Sequence, residues 1–311
     1  MYHGVENDQR RPGEAGQAAA SAPRPKMPDV RGAETAFGRP RNSLSNRYVY
    51  AVISQRARGL SVGVNLNPDQ GCNFNCVYCE VDRDNASGKR EVDIRGMSEE
   101  LESLLSVVAG GRLRGFAWFR TVPSELLELK EVALSGDGEP TLCPNFEEVV
   151  REVLRIRAHE SYGSFKIVLI TNGTGLDAPA VVKAVKELTN EDEVWIKLEA
   201  GTQKHMNRVN RSEVSLEKVL TNILAMGKRR PIIIQSLFPL LDGKGPSPEE
   251  VEQYVRRLGE IKAAGAQIAQ VQVYSAHRPP HHPNCEHLPL KVLSSIARRV
   301  RTATGLRAEV F

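Results

Sequence analysis

The sequence predicts an α/β fold, a partial (β/α)6 barrel of the TIM type, on three observations. Six short apolar runs recur along the chain, amphipathic segments separate them, and several runs end abruptly in polar or glycine-rich turns. The runs occupy residues 60–66, 131–135, 166–171, 194–198, 232–237 and 269–274. Their brevity and β-branched content mark buried strands.

The segments between the runs carry helix starts. Ser98 precedes Leu101, Leu104, Leu105 and Val108, and Asn145 precedes Glu148 and then Val149, Val150, Val153 and Leu154. Further on, Ser215 precedes Leu216, Val219, Leu220 and Ile223, while Ser247-Pro248-Glu249-Glu250 opens a segment with Val251, Tyr254, Val255, Leu258 and Ile261. Alternation of strand and helix implies right-handed βαβ units and one parallel sheet, closed or curled. Function then belongs at the carboxyl ends of the strands.

The 311 residues are accommodated by one such core, residues 46–311, and a tail. Residues 1–45 are rich in Pro, Gly, Ala and Arg, with scarcely a large apolar side chain, and are expected to be disordered. The first 47 residues hold eight Lys or Arg against five Asp or Glu, and the remainder holds 34 against 33, so the net charge of +4 gives the folded part no basic footprint for nucleic acid. With neither an apolar run of membrane-spanning length nor a secretory leader, the expected location is the cytoplasm, without membrane association. Residues 110–130, with Arg112, Arg114, Phe116, Trp118 and Phe119, read either as a substrate or RNA contact or as a hairpin packed on the barrel.

Directly after the first run stands Cys72-Asn73-Phe74-Asn75-Cys76-Val77-Tyr78-Cys79. Three of the five cysteines in eight residues suit a metal centre in a reducing compartment better than a disulfide framework. Three thiolates leave one corner of a cubane open to an external ligand, whereas four would close it. A Cys3His zinc site using a histidine from 277–287, stabilising an RNA-binding module, is the alternative metal reading.

The other runs end in groups of comparable interest. The second leads to Ser135-Gly136-Asp137-Gly138-Glu139-Pro140-Thr141, the third to Thr171-Asn172-Gly173-Thr174 and the fourth to Lys197-Leu198-Glu199-Ala200-Gly201. Gln235 interrupts the fifth run, and a buried amide needs partners. After the sixth come His277, Arg278, His281, His282, Cys285 and His287, which read as a solvated loop, a second metal site or a substrate pocket in which Arg278 meets an anion. Cys143 reads as a small packed side chain or a hydrogen donor.

The C-x3-C-x2-C loop after the first barrel strand, with Tyr78 before the last cysteine, resembles the radical S-adenosylmethionine (SAM) superfamily. The resemblance implies a barrel of that type with one [4Fe-4S] cluster on Cys72, Cys76 and Cys79, its open iron chelating the amino and carboxylate groups of SAM. One electron then splits SAM into methionine and a 5'-deoxyadenosyl radical, which abstracts hydrogen from an unidentified substrate. It further implies an electron donor such as flavodoxin or ferredoxin. Gly138-Glu139, with Gly136 nearby, matches the element that holds the methionyl ammonium. Asn172 and Glu199 become expected contacts for the ribose or carboxylate of SAM, Lys197 for carboxylate or substrate, and Gln235 for ribose; Tyr78 joins the cofactor-binding set.

Residues 48–290 look closest to the iron-sulfur oxidoreductases related to the wybutosine-synthesis tRNA-guanine radical enzyme. That enzyme carries cysteines for a second cluster upstream, and no cysteine precedes Cys72 here, so a single cluster is expected and pyruvate chemistry is not carried over. The substrate class stays open among a modified RNA, a peptide and a small metabolite. An iron-sulfur protein of electron transfer or redox sensing, without SAM cleavage, is the competing class.

Overall fold

The computed structural model describes residues 46–81, 90–276, 280 and 282–311. The tail 1–45 and, in the histidine-rich loop, His277, Arg278 and His281 lie outside the described residues. An eight-stranded sheet is built from β1 (Val49–Ser54), β2 (Gly59–Asn65), β3 (Leu129–Ser135), β4 (Lys166–Thr171), β5 (Glu193–Lys197), β6 (Ile232–Leu237), β8 (Ile268–Tyr274) and β10 (Ala308–Val310), in that order. All neighbours pair in parallel except β1, which runs antiparallel to β2. A separate ribbon joins β7 (Pro239–Leu241) to β9 (Cys285–His287).

The six runs become the six central strands. Helices α1 (Ile94–Ala109), α2 (Phe146–Arg157), α3 (Pro179–Lys186), α4 (Gln203–Val209), α5 (Leu216–Arg229), α6 (Pro248–Ala263) and α7 (Leu290–Thr304) connect them in α/β order. Ser215 and Ser247 cap α5 and α6 as expected, accepting from Lys218 N and Glu250 N, each at 3.2 Å. Two starts differ. Helix α1 begins four residues before Ser98, whose hydroxyl instead donates to Glu152 on α2 at 2.6 Å. Asn145 precedes α2 but spends its amide on both backbone groups of Val92, at 3.1 and 2.8 Å.

Residues 110–130 do not form a hairpin. They fold into short 3-10 turns at Arg112–Gly115, Ala117–Phe119 and Ser124–Leu127, with Leu113 and Phe119 buried, and none of them lines the central cavity. No helix among the described residues is long and apolar enough to cross a membrane.

The sheet has two unlike faces. Leu60, Val62, Val64, Val132 and Leu134, which are buried without measurable exposure, meet the helices in the main core. The alternate positions, Ser61 on β2 and Glu131, Ala133 and Ser135 on β3, line a cavity that the curled sheet encloses. Tyr50 on β1 and Tyr274 on β8 line that cavity too, so strands from both sides of the sheet converge on it.

Candidate active site

The cavity measures about 280 Å³ and is walled on one side by Cys72, Cys76, Tyr78 and Cys79. The cysteine loop owes its shape to contacts with three other segments. Asn75 N and Val77 N donate to the carbonyls of Asn210 and Val209 at 3.0 and 2.9 Å, and Ser212 Oγ donates to Asn73 O at 3.0 Å. Asn73 exchanges side-chain bonds with Asn172 (2.8 Å) and Thr174 (2.9 Å) beyond β4. Phe74 and Val77 are buried, Phe74 also lining the cavity. None of the five cysteines is in a disulfide. No three His, Cys, Asp or Glu side chains among the described residues gather round one ion-sized point.

The turn after β3 is pressed against the foot of this loop. A Cβ added to Gly138 would stand 1.9 Å from the carbonyl oxygen of Gly71, and one at Gly136 would stand 2.6 Å from Asn67 Oδ1. Gly138 is therefore demanded by the approach of two backbones, whereas the atoms nearest Gly136 are side-chain ends; both glycines also line the cavity. Glu139 N donates to Gly71 O at 3.0 Å and Glu139 O accepts from Asn67 Nδ2 at 3.0 Å, completing the seam. Replacing Gly138 by alanine is expected to push Gly71 and the adjoining Cys72 aside, costing about 1–3 kcal/mol and lowering iron content together with the unfolding midpoint. Wild-type iron loading in that variant would show the seam to be irrelevant to the cysteine loop.

Glu139 is 2% exposed and its carboxylate is fully engaged. Oε1 accepts from Thr141 N (3.1 Å), Thr141 Oγ1 (2.5 Å) and Thr171 Oγ1, while Oε2 accepts from Asn172 N at 2.7 Å. It ties the turn after β3 to the end of β4. Asn172 lines the cavity, but its side chain is likewise spent on Asn73 and on the backbone and hydroxyl of Thr174.

Half-buried Lys197 and buried Tyr78 and Glu199 form a cluster beside the cysteines. The Lys197 ammonium lies 5.0 Å from the Tyr78 ring centroid and 3.5 Å from its hydroxyl. Tyr78 OH and Asn210 Nδ2 both donate to Glu199 Oε2, and Asn210 Nδ2 also reaches Cys76 Sγ at 3.4 Å. Protein packed round the sulfur, and next the charge of Glu199, push the Cys76 thiol up to about 12, against the pull of Lys197. Lys197 and Tyr78 line the cavity, whereas Glu199 stands behind them, with Oε1 buried and unpartnered. Gln235 does face the cavity, and its Nε2 donates to Gln272 Oε1 at 3.0 Å. Cys143 is packed and buried, its thiol donating to Asn145 Oδ1 at 3.3 Å.

Three residues of this site carried no signal in the sequence reading. Asn210 follows α4 and reaches the cysteines only through the fold. Glu131, near the start of β3, and Arg56, in the turn between β1 and β2, line the cavity away from the carboxyl ends of the parallel strands. Glu131 is 1% exposed; Oε1 accepts from Ser61 Oγ at 2.9 Å, and Oε2 is buried without a partner. Burial holds its carboxyl above the usual range, against the Ser61 hydrogen bond and the charges of Lys166 and Arg56. The native state thus binds this proton more tightly than the unfolded chain, and stability is lost as pH rises from the ordinary carboxylate range through the raised value. Glu131→Gln, which imitates the protonated form, is expected to melt above wild type at about pH 8 and to lose that advantage near about pH 4. A constant difference across that span would remove the titration from the account.

Comparison with known proteins follows the same lines. A family model described as the Radical SAM superfamily matches residues 66–258, more than half of the chain. A UPF0026 protein of Helicobacter pylori (strain J99) is 25% identical over 234 residues, covering 75% of this chain and 68% of its own. A UPF0026 protein of Synechocystis sp. is 29% identical over 179 residues, covering 56% of this chain and 57% of its own. A solved structure of TYW1 with a lysine-pyruvate adduct bound superposes with a TM-score of 0.55 at 14% identity, over 82% of this chain and 84% of that one, a likeness of fold.

Proposed function

The chain belongs to the radical SAM superfamily, and from that premise we propose that Cys72, Cys76 and Cys79 hold a single [4Fe-4S] cluster facing the barrel cavity. Enzymes of this superfamily use such a cluster with SAM. When bound, the pair supplies one electron to split SAM into methionine and a 5'-deoxyadenosyl radical that takes hydrogen from the substrate. The observation that carries the reading is convergence: the three cysteines, the Gly136–Gly138 turn, Lys197 and Gln235 all line one cavity.

The donor set suits the cluster. Sulfur ligands of iron-sulfur centres are tuned by N–H donors, and two are in place: Phe74 N lies 3.4 Å from Cys72 Sγ, and Asn210 Nδ2 lies 3.4 Å from Cys76 Sγ.

The chain's own residues then divide the work. The backbone of residues 136–138 offers carbonyls to the methionyl ammonium, because the Glu139 carboxylate is committed to Thr141, Thr171 and Asn172. Lys197 presents a half-buried ammonium to a carboxylate, and its proton is held firmly: desolvation, the largest single influence, opposes this and is outweighed by its neighbours, the Glu199 carboxylate among them. Gln235 has its amide oxygen free of the bond to Gln272 and serves a ribose hydroxyl. Glu199 holds Tyr78 and Asn210 in place from behind, so its role is positioning. A flavodoxin- or ferredoxin-type protein is the proposed electron donor, and the cytoplasm the proposed location.

Anaerobic loading with iron and sulfide tests the assignment. About four irons per chain, with a reduced-cluster electron paramagnetic resonance signal that changes when SAM is added, is the expected result. Zinc bound in preference to iron, or a spectrum indifferent to SAM, would sink it.

A further inference from the structure

Arg56 and Glu131 are charged residues of the cavity that the SAM-binding scheme leaves unused. Arg56 sits in the turn between β1 and β2, with its guanidinium carbon 4.5 Å from the centroid of the Tyr274 ring. Stacking of this kind fixes the plane of the guanidinium while leaving its edge donors available. Its Nε is buried without a partner. Glu131 is 1% exposed, with Oε2 equally buried and unpartnered. Both line the same cavity as the cysteines.

We infer that Arg56 and Glu131 form the substrate pocket of this enzyme and select a small zwitterion of the amino-acid type, its carboxylate on Arg56 and its ammonium on Glu131. The inference rests on the radical SAM reading, which supplies the chemistry. Arg56 is part-buried and its charge acts on Glu131, yet Arg56 Nε and Glu131 Oε2 are buried with neither a hydrogen bond nor a counter-charge in contact, which is costly. A zwitterion delivers both without changing the net charge of the cavity. A phosphate would satisfy Arg56 and repel Glu131, and a neutral nucleobase would bring hydrogen bonds but no charge. The neighbouring pair Lys166 and Glu193 satisfy each other at 2.8 Å, and Lys197 is already assigned to the SAM carboxylate, so neither substitutes for the ligand.

The test is calorimetric titration of the cluster-loaded full chain, with SAM present, by each of the twenty standard amino acids. The amine-free acid and the carboxylate-free amine corresponding to any binder, and guanosine monophosphate, are the further probes. The inference expects at least one amino acid to bind and both truncated analogues to fail. Glu131→Gln and Arg56→Gln should each weaken that binding by at least about 30-fold, with iron content and SAM affinity at wild-type levels. Refusal of every amino acid, binding of guanosine monophosphate alone, or wild-type affinity in both variants would overturn the pocket while leaving the radical reading intact. Failure of the wild-type chain to hold a cluster or SAM would instead overturn the radical reading, and the pocket with it.

Discussion

Cys76→Ala is expected to abolish iron-sulfur loading and, with it, all cleavage of SAM, while the barrel remains folded. The sulfur belongs to a loop held by backbone bonds from its neighbours, Asn75 and Val77, to Asn210 and Val209. Those bonds survive truncation of the side chain. What is lost locally is one contact with Asn210 and a few dispersion contacts, about 1 kcal/mol of stability. The effect on function is of another order, because a cluster held by two thiolates has lost its third protein ligand. Iron and sulfide analysis, circular dichroism and product chromatography on the same sample check the three parts together. A variant that retained a wild-type cluster would remove Cys76 from the ligand set.

Glu139→Ala carries the second largest expected effect, and it falls on stability as much as on SAM. Removing the carboxylate strips partners from two buried backbone N–H groups, those of Thr141 and Asn172, and from the hydroxyls of Thr141 and Thr171. The hydroxyls can turn to other acceptors; the backbone groups cannot. At about 1–3 kcal/mol for each orphaned donor, the loss is about 3–5 kcal/mol. Denaturant unfolding should register it, and iron loading and SAM affinity should fall together, since the turn after β3 and the cysteine loop share the seam at Gly71. Glu139→Gln, which keeps one acceptor oxygen, should lose less. Weakened SAM binding with unchanged stability would mean that the carboxylate touches SAM directly.

How much of this was legible in the sequence follows from the range of each interaction. The six central strands could be read because β-branched runs buried on both faces leave a local trace. Strand β1 could not, because its alternating burial resembles an exposed segment and its turn, Gln55 to Arg58, offers no glycine even though Arg58 is left-handed at φ 58°. Strand β10 has only three residues, one of them Glu309. The cysteines announced themselves by spacing alone. Polar strand endings also signalled a site, yet their roles depended on partners far along the chain: Glu139 on Thr171 and Asn172, Glu199 on Tyr78 and Asn210, Gln235 on Gln272. Glu131 read as the ordinary start of a strand, because nothing local distinguishes an inward-facing carboxylate from an outward one until the register with Ser61 is fixed.

The measurement that bears most directly on the central claim is product analysis of the reconstituted full chain, incubated anaerobically with SAM and dithionite. Formation of 5'-deoxyadenosine and methionine that depends on each of Cys72, Cys76 and Cys79 is the predicted result. An intact cluster that neither binds nor cleaves SAM would contradict it, and would make the protein an iron-sulfur carrier of electrons or a redox sensor.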